Sequence, residues 1–268
     1  MKMISNFFDG KLIASESSDK LPLYKPTTGE EYAQIPVTTD KEFELIIDKM
    51  KNAQISWANT PVTKRSAILF KFKSLIEKNF DEIARIISEE HGKVFSDAKG
   101  SLQRGLEVVD FACGIPHLLK GNHSINVGTN VDLFDIKQPL GICAGITPFN
   151  FPAMVPMWMF PMAIACGNVF MLKPSEKVPQ CSLKLGELLH EAGLPENVLT
   201  IVNGDKRVVD NILQSPDIAS VSFVGSTPVA KYIYTECAKH NKRVQALGGA
   251  KNHMLIMEDA NLEDAVNG

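Results

Sequence analysis

From residue 39 the apolar positions of this chain fall at helical spacing. Phe43, Ile46, Ile47, Met50, Ala53 and Trp57 share one face behind Thr39-x-x-Glu42, a capping-box pattern. Ile68, Phe72, Leu75 and Ile76 mark a second helix, with Thr60-Pro61 read as its N-cap and first position. A third helix is predicted over 81–91, stopping at Gly92, and a fourth over 97–113. Residues 1–38 carry strand and turn signals instead, with Asp9-Gly10 in "FFDGKLI" as a hairpin turn. Residues 123–138 alternate polar and apolar around Gly128-Thr129-Asn130, a two-stranded ribbon with little core of its own. Such a ribbon is marginal alone in water, so a pairing partner is expected, for which another subunit would serve.

From residue 140 the pattern alternates strand and helix. Strands are predicted near 141–146, 168–172, 198–203, 220–224 and 243–247, with a short sixth through "HMLIM", 253–257. Helices are predicted near 152–166, 178–192, 207–214 and 227–240. The strands are near-continuous apolar runs, as in a parallel sheet buried on both faces. The fold class is therefore α/β, a doubly wound Rossmann-like sheet with flanking helices, whose ligands sit beyond the carboxyl ends of the strands.

Composition narrows the function. The 268 residues carry a formal net charge of −3 and no basic run, which argues against nucleic acid or a membrane surface as partner. The longest apolar run, Phe151–Ala165, is interrupted by Pro156 and Pro161 and is shorter than the roughly 20 residues of a membrane span. Five scattered cysteines without C-x-x-C spacing fit a reducing, cytoplasmic setting. The six histidines form no ligand pair, and no metal is expected. The first residues match neither a signal nor a transit peptide.

Three predicted strand ends are unusual, and all should face one edge of the sheet. "TPFNFP" places Asn150 among apolar neighbours between a buried strand and a buried helix, so Asn150 is expected to be a buried amide that needs either a partner or a task. It is read as an N-cap, or as a donor to a reacting carbonyl. "LKPSE" sets Lys173 and Glu176 three residues apart, a pair suited to ribose hydroxyls or simply a solvated loop. "FVGSTPVA" offers Gly225, then Ser226 and Thr227 as cap candidates, then Pro228. Its helix N-terminus suits a phosphate, although the segment is not a G-x-G-x-x-G fingerprint and also fits an ordinary capped helix.

"PFNFP", "LKPSE", "SFVGST" and "LGGAK", in this order and spacing, resemble the aldehyde dehydrogenase superfamily over essentially the whole chain. The stretches 141–176 and 242–253 are most similar to its acylating, CoA-dependent methylmalonate-semialdehyde dehydrogenase branch. The resemblance implies an NAD-dependent oxidation of a small semialdehyde with CoA as co-substrate, yielding propanoyl-CoA or acetyl-CoA and CO2. It implies that Asn150 stabilises the oxyanion and that Arg104, otherwise a surface helix arginine, pairs with the substrate carboxylate. It implies NAD contacts from Thr147, Pro148, Phe149, Lys173, Glu176, Gly225, Ser226, Val229, Leu247 and Gly248. It divides the chain into an N-terminal part of the NAD-binding domain (1–122), an oligomerisation hairpin (123–138) and a Rossmann-like domain (139–268), in a homo-oligomer, dimer or tetramer.

Two departures matter. Most members read E-L-G-G-K, with the glutamate as base for hydrolysis. Here the stretch is Gln245-Ala246-Leu247-Gly248-Gly249-Ala250-Lys251, with no carboxylate. Attack by CoA tolerates that loss, because a thiol with a pKa near 8.5 is already partly ionised at neutral pH. The family's nucleophilic cysteine lies beyond this element and is not among the five here, so an N-terminal fragment, inactive alone, is expected. The alternatives are a hydrolytic NAD-dependent aldehyde dehydrogenase and a non-catalytic dinucleotide-binding or assembly module.

Overall fold

A computed structural model describes residues 2–267. The chain opens with five short strands, β1 (Lys2–Met3), β2 (Asn6–Phe8), β3 (Lys11–Ile13), β4 (Lys20–Tyr24) and β5 (Glu31–Pro36). Asp9 and Gly10 both take positive φ, so β2 and β3 close as the expected tight hairpin. Four long helices follow: α1 (Asp40–Ala58), α2 (Val62–Lys78), α3 (Phe80–His91) and α4 (Phe95–Cys113), then a single turn, α5 (Ile115–Leu118). The Thr39–Glu42 capping box forms in both directions, and α3 ends at Gly92 in the left-handed region. Thr60 does not cap α2. Its hydroxyl donates back to the Ser56 carbonyl at 3.1 Å, closing the end of α1, and α2 starts behind Pro61 without a side-chain cap.

The ribbon β6 (His123–Gly128) and β7 (Val131–Phe134) forms a separate two-stranded sheet whose residues are all exposed. Beyond it the alternation is regular: β8 (Ile142–Ile146), α6 (Met154–Ala165), β9 (Val169–Lys173), α7 (Pro179–Glu191) and β10 (Leu199–Ile201). The chain continues through α8 (Lys206–Gln214), β11 (Ile218–Val224), α9 (Thr227–Lys239), β12 (Arg243–Leu247) and α10 (Leu262–Asn267). The predicted strand over 253–257 does not form. These residues are exposed and do not add to the open edge of β12, and an apolar run that pairs with no strand does not make a ladder.

The main sheet has the order β12-β11-β8-β9-β10-β2-β3. Its five strands from the second half of the chain are parallel, and the β2–β3 hairpin extends it antiparallel beside β10. Every residue of β8 and β9 is buried. Helix α6 is apolar almost all round, as a helix enclosed on several sides must be. Polar side chains seal its exit: Trp57 Nε1 donates to the Ile164 carbonyl at 3.1 Å, and the Gln54 amide bridges Gly167 O and Val169 N at 3.0 and 2.9 Å. Among the described residues no helix is long and apolar enough to cross a membrane.

Helices α4 and α6 touch at Gly105, where a Cβ would lie 3.1 Å from Met154 Cα and would overlap the Met157 side chain. Gly105→Ala is therefore expected to push α4 off α6 and to cost about 1–3 kcal/mol, as overpacking does. Ile55→Ala, on the exposed face of α1, should stay within about 0.5 kcal/mol. Urea unfolding of the two variants checks both, and equal midpoints would contradict the packing.

Candidate functional site

Strand β8 has β9 on one side and β11 on the other, so the sheet order reverses there. Loops leaving the carboxyl ends of β8 and β11 diverge and open a crevice. The register sets their level: Ile146 stands opposite Lys173 and Phe223, and Val224 opposite Leu247. The strand ends singled out in the sequence thus meet at one edge. Thr147 is buried and donates its N–H to the Lys173 carbonyl at 3.2 Å, with Pro148 half-buried beside it.

At the end of β9 the buried Lys173 ammonium sits 3.0 Å from the half-exposed Glu176 carboxylate. Partial burial pushes the Glu176 carboxyl up, but the charge of Lys173 and the hydrogen bonds it receives hold it below its usual range. The Glu176 carboxyl is thus ionised at neutral pH and still offers oxygens to a ligand.

Helix α9 begins with Ser226 at its N-cap and Pro228 in its first turn, yet no side chain caps it. Thr227 Oγ1 is engaged elsewhere, accepting from Gly249 N at 3.0 Å. A 13-residue helix with an uncapped N-terminus beside a crevice suits an anion. Gly225 N donates to Leu247 O at 3.1 Å, and a Cβ at Gly248 would lie 3.2 Å from Thr227 Cα, so β12 and α9 close tightly there. Val229 and Leu247 are exposed on these two elements. A carboxylate to grip hydroxyls and open N–H groups for phosphate fit a dinucleotide.

The expectation that Asn150 is buried does not hold. The residue is exposed, and it does not cap α6, which starts at Met154 behind Ala153 with no side-chain cap. The loop runs on past Asn150 before turning into helix, which carries the residue outward. What holds it is its backbone: Lys93 Nζ donates to the Asn150 carbonyl at 2.9 Å and stands 4.5 Å from the Phe151 ring centroid. Phe149, about half exposed, stacks on His91 at 6.3 Å with Lys177 Nζ 4.9 Å from its ring centroid. Burial and the nearby Lys93 charge keep the His91 imidazole below its usual pKa.

Arg104 is exposed on α4 and lines a groove of about 350 Å³ with Lys93, Asp97, Ser101 and Phe151. The groove therefore joins Arg104 to the Asn150 loop. The 91–93 segment that makes this junction was not singled out in the sequence. Its only signal was a lysine directly after a helix-terminating glycine, and nothing local says which loop it meets.

Glu90 was also missed. It is buried on α3, and its carboxyl oxygens accept from Gln180 N and Cys181 N at 2.8 and 3.1 Å, capping α7 from another helix. None of the five cysteines is poised as a thiolate. Burial pushes Cys113, Cys143 and Cys237 up to about 11, Cys181 well above its ordinary value, and half-buried Cys166 upward.

The chain is similar to known proteins over its whole length. The profile of the aldehyde dehydrogenase family matches residues 12–268. Malonate-semialdehyde dehydrogenase of Pseudomonas aeruginosa is 51% identical over 267 residues, which cover 100% of this chain and 54% of that protein. The crystal structure of methylmalonate-semialdehyde dehydrogenase from Oceanimonas doudoroffii superposes with a TM-score of 0.96 at 51% identity, covering 100% of this chain and 55% of that one. A putative methylmalonate-semialdehyde dehydrogenase from Sinorhizobium meliloti 1021, complexed with NAD, gives 0.96 at 49% identity, covering 100% and 54%. The chain spans about half the length of the relatives it matches.

Burial of Glu90 outweighs its two N–H donors and raises its carboxyl from 4.5 to about 8. Between those pH values the folded chain keeps a proton that the unfolded chain has released, so this group's contribution to stability falls as pH rises through the window. Glu90→Gln is expected to remove that fall. Denaturant midpoints of parent and variant at pH 5 and pH 8 check it, and identical pH slopes would show that the carboxyl stays ionised.

Proposed function

The chain belongs to the aldehyde dehydrogenase family, and from that premise we propose that it is the nucleotide-binding half of an NAD-dependent, CoA-acylating semialdehyde dehydrogenase. The substrate is malonate or methylmalonate semialdehyde, and the products are an acyl-CoA and CO2. What carries the reading is that the Asn150 loop, the Lys173–Glu176 pair and the uncapped N-terminus of α9 follow the neighbouring strands β8, β9 and β11 at one edge of the sheet.

NAD, when bound, supplies the hydride acceptor. Glu176 accepts from the ribose hydroxyls while Lys173 steadies its carboxylate. The open N–H groups of α9, with Gly225 and Ser226 at its start, take the pyrophosphate, and Thr147, Pro148, Phe149, Val229, Leu247 and Gly248 wall the crevice. Asn150 donates from its amide to the aldehyde oxygen as that oxygen gains negative charge. Arg104 pairs with the substrate carboxylate, to which a guanidinium is matched in geometry and charge. The family's nucleophilic cysteine lies beyond the Gly248-Gly249-Ala250-Lys251 element, so in this reading it comes from residues outside these 268. Ala246 and Leu247 lie at the carboxyl end of β12, beside α9, and bring no carboxylate there. Water would lack a base at the thioester, whereas CoA, partly ionised, needs less help.

The exposed Ile125, Val127, Leu133 and Phe134 of the 123–138 ribbon support a homo-oligomer built through it. The segments 1–122 and 139–268 then form the NAD-binding body on either side of it. A cytoplasmic setting suits five free thiols.

Calorimetry on the 268-residue chain should show NAD binding, weakened about 10- to 100-fold in Glu176→Gln, as loss of a charge-assisted hydrogen bond implies. Absence of binding by the parent chain would contradict the nucleotide role. In the enzyme that includes the cysteine, Asn150→Ala should slow acylation by about 10²–10³-fold. Rapid mixing without CoA should give one burst of NADH. Steady turnover without CoA would point to hydrolysis instead, and an unaltered acylation rate in Asn150→Ala would remove its oxyanion role.

A further inference from the structure

Lys93 lies just past the glycine that ends α3, and it joins two walls of the substrate groove. Its ammonium donates to the Asn150 carbonyl at 2.9 Å and to Ser101 Oγ on α4 at 3.3 Å, and it stands 4.5 Å from the centroid of the Phe151 ring. The group is half-buried, and burial lowers its pKa while Asp97 opposes that shift. Its directed contacts thus go to loop, helix and ring. Hydrogen bonds from a charged donor are roughly twice as strong as neutral ones. The Asn150 side chain does not cap α6, so its carbonyl is where the protein grips the residue.

Ser101 and Arg104 are three residues apart on α4 and share a face. Both line the groove together with Lys93 and Phe151. One ammonium therefore ties the peptide carrying Asn150 to the helix carrying Arg104. We infer that Lys93 is a positioning residue that sets the spacing between the oxyanion donor and the carboxylate anchor, and so the length of aldehyde acid the site prefers. This rests on the roles given to Asn150 and Arg104 above. Two anchors at fixed separation favour a substrate whose carbonyl and carboxylate match it, here a short chain with one carbon between them. Loosening one anchor weakens that preference. Lys93 acts through its neighbours, since its two hydrogen bonds run to the Asn150 carbonyl and to Ser101.

Lys93→Met keeps the stem that packs at Phe151 and deletes the charge and the donors, while Lys93→Arg keeps both. The first measurement needs only the 268-residue chain. In ¹⁵N-labelled protein, backbone order parameters at Asn150 and Phe151 should fall from about 0.85 to below 0.6 in Lys93→Met. Those of β8 should stay unchanged, and Lys93→Arg should restore the loop. Unchanged order in Lys93→Met overturns the inference.

The second measurement uses the enzyme that includes the cysteine. Lys93→Met should lower kcat/KM for malonate semialdehyde by up to about 10²-fold, the effect of misplacement by about 1 Å. Losses on succinate semialdehyde and on propanal should be smaller, narrowing the preference. Equal losses on all three aldehydes overturn the spacing role even where the loop has loosened. An Asn150→Ala enzyme as fast as its parent would instead break the reading of the site, and the order parameters report the hold of Lys93 separately.

Discussion

Strand β8 pairs in parallel with β9 on one flank and β11 on the other, and this double pairing dictates where chemistry is possible. Parallel strands must all end at the same edge. The connections leaving β8 and β11 then turn away from each other, because one helix returns over one flank of the sheet and the next over the other. The crevice between them is a consequence of strand order, before any side chain is chosen. Burial of every residue of β8 and β9 makes the arrangement costly to change, since a shift in register would expose an apolar row.

The site then depends on polar groups that arrive from the N-terminal helices. Gln54 on α1 satisfies backbone groups at the start of β9, and Glu90 on α3 caps α7 just after the 173–176 segment. Lys93 holds the carbonyl of Asn150. The strand ends are thus steadied by residues far away in the chain. Gly105 allows the close approach of α4 to α6 that brings Arg104 near the same mouth. The helical N-terminal segment and the alternating second half share one apolar core, from Phe7 and Phe43 through Phe72 to Phe170 and Ile233.

Much of this was legible in the chain. The helical period after residue 39, the Thr39–Glu42 box, the glycine stop at Gly92, the Asp9-Gly10 turn and the five parallel strands rest on local rules, and they formed. Thr60 misled because its hydroxyl has two helix ends within reach, and the preceding one took it. Residues 253–257 misled because an apolar run becomes a strand only where it pairs, and these residues stay off the open edge of β12. Asn150 misled in burial because apolar neighbours in sequence do not enclose a residue; the path of the loop does.

Periodicity and local hydrogen bonding are enough to specify the alternation of elements, the Thr39–Glu42 box and the Gly92 stop, whereas the caps read at Thr60, Asn150 and Ser226 do not form. The tertiary structure alone decided that Asn150 stands exposed, that Lys93 grips its carbonyl, that Glu90 caps a helix some 90 residues away and that Arg104 joins the groove. Each depends on contacts between segments distant in the chain. Whether a polar group is desolvated, paired or free is a property of the assembled surroundings, not of its neighbours in sequence.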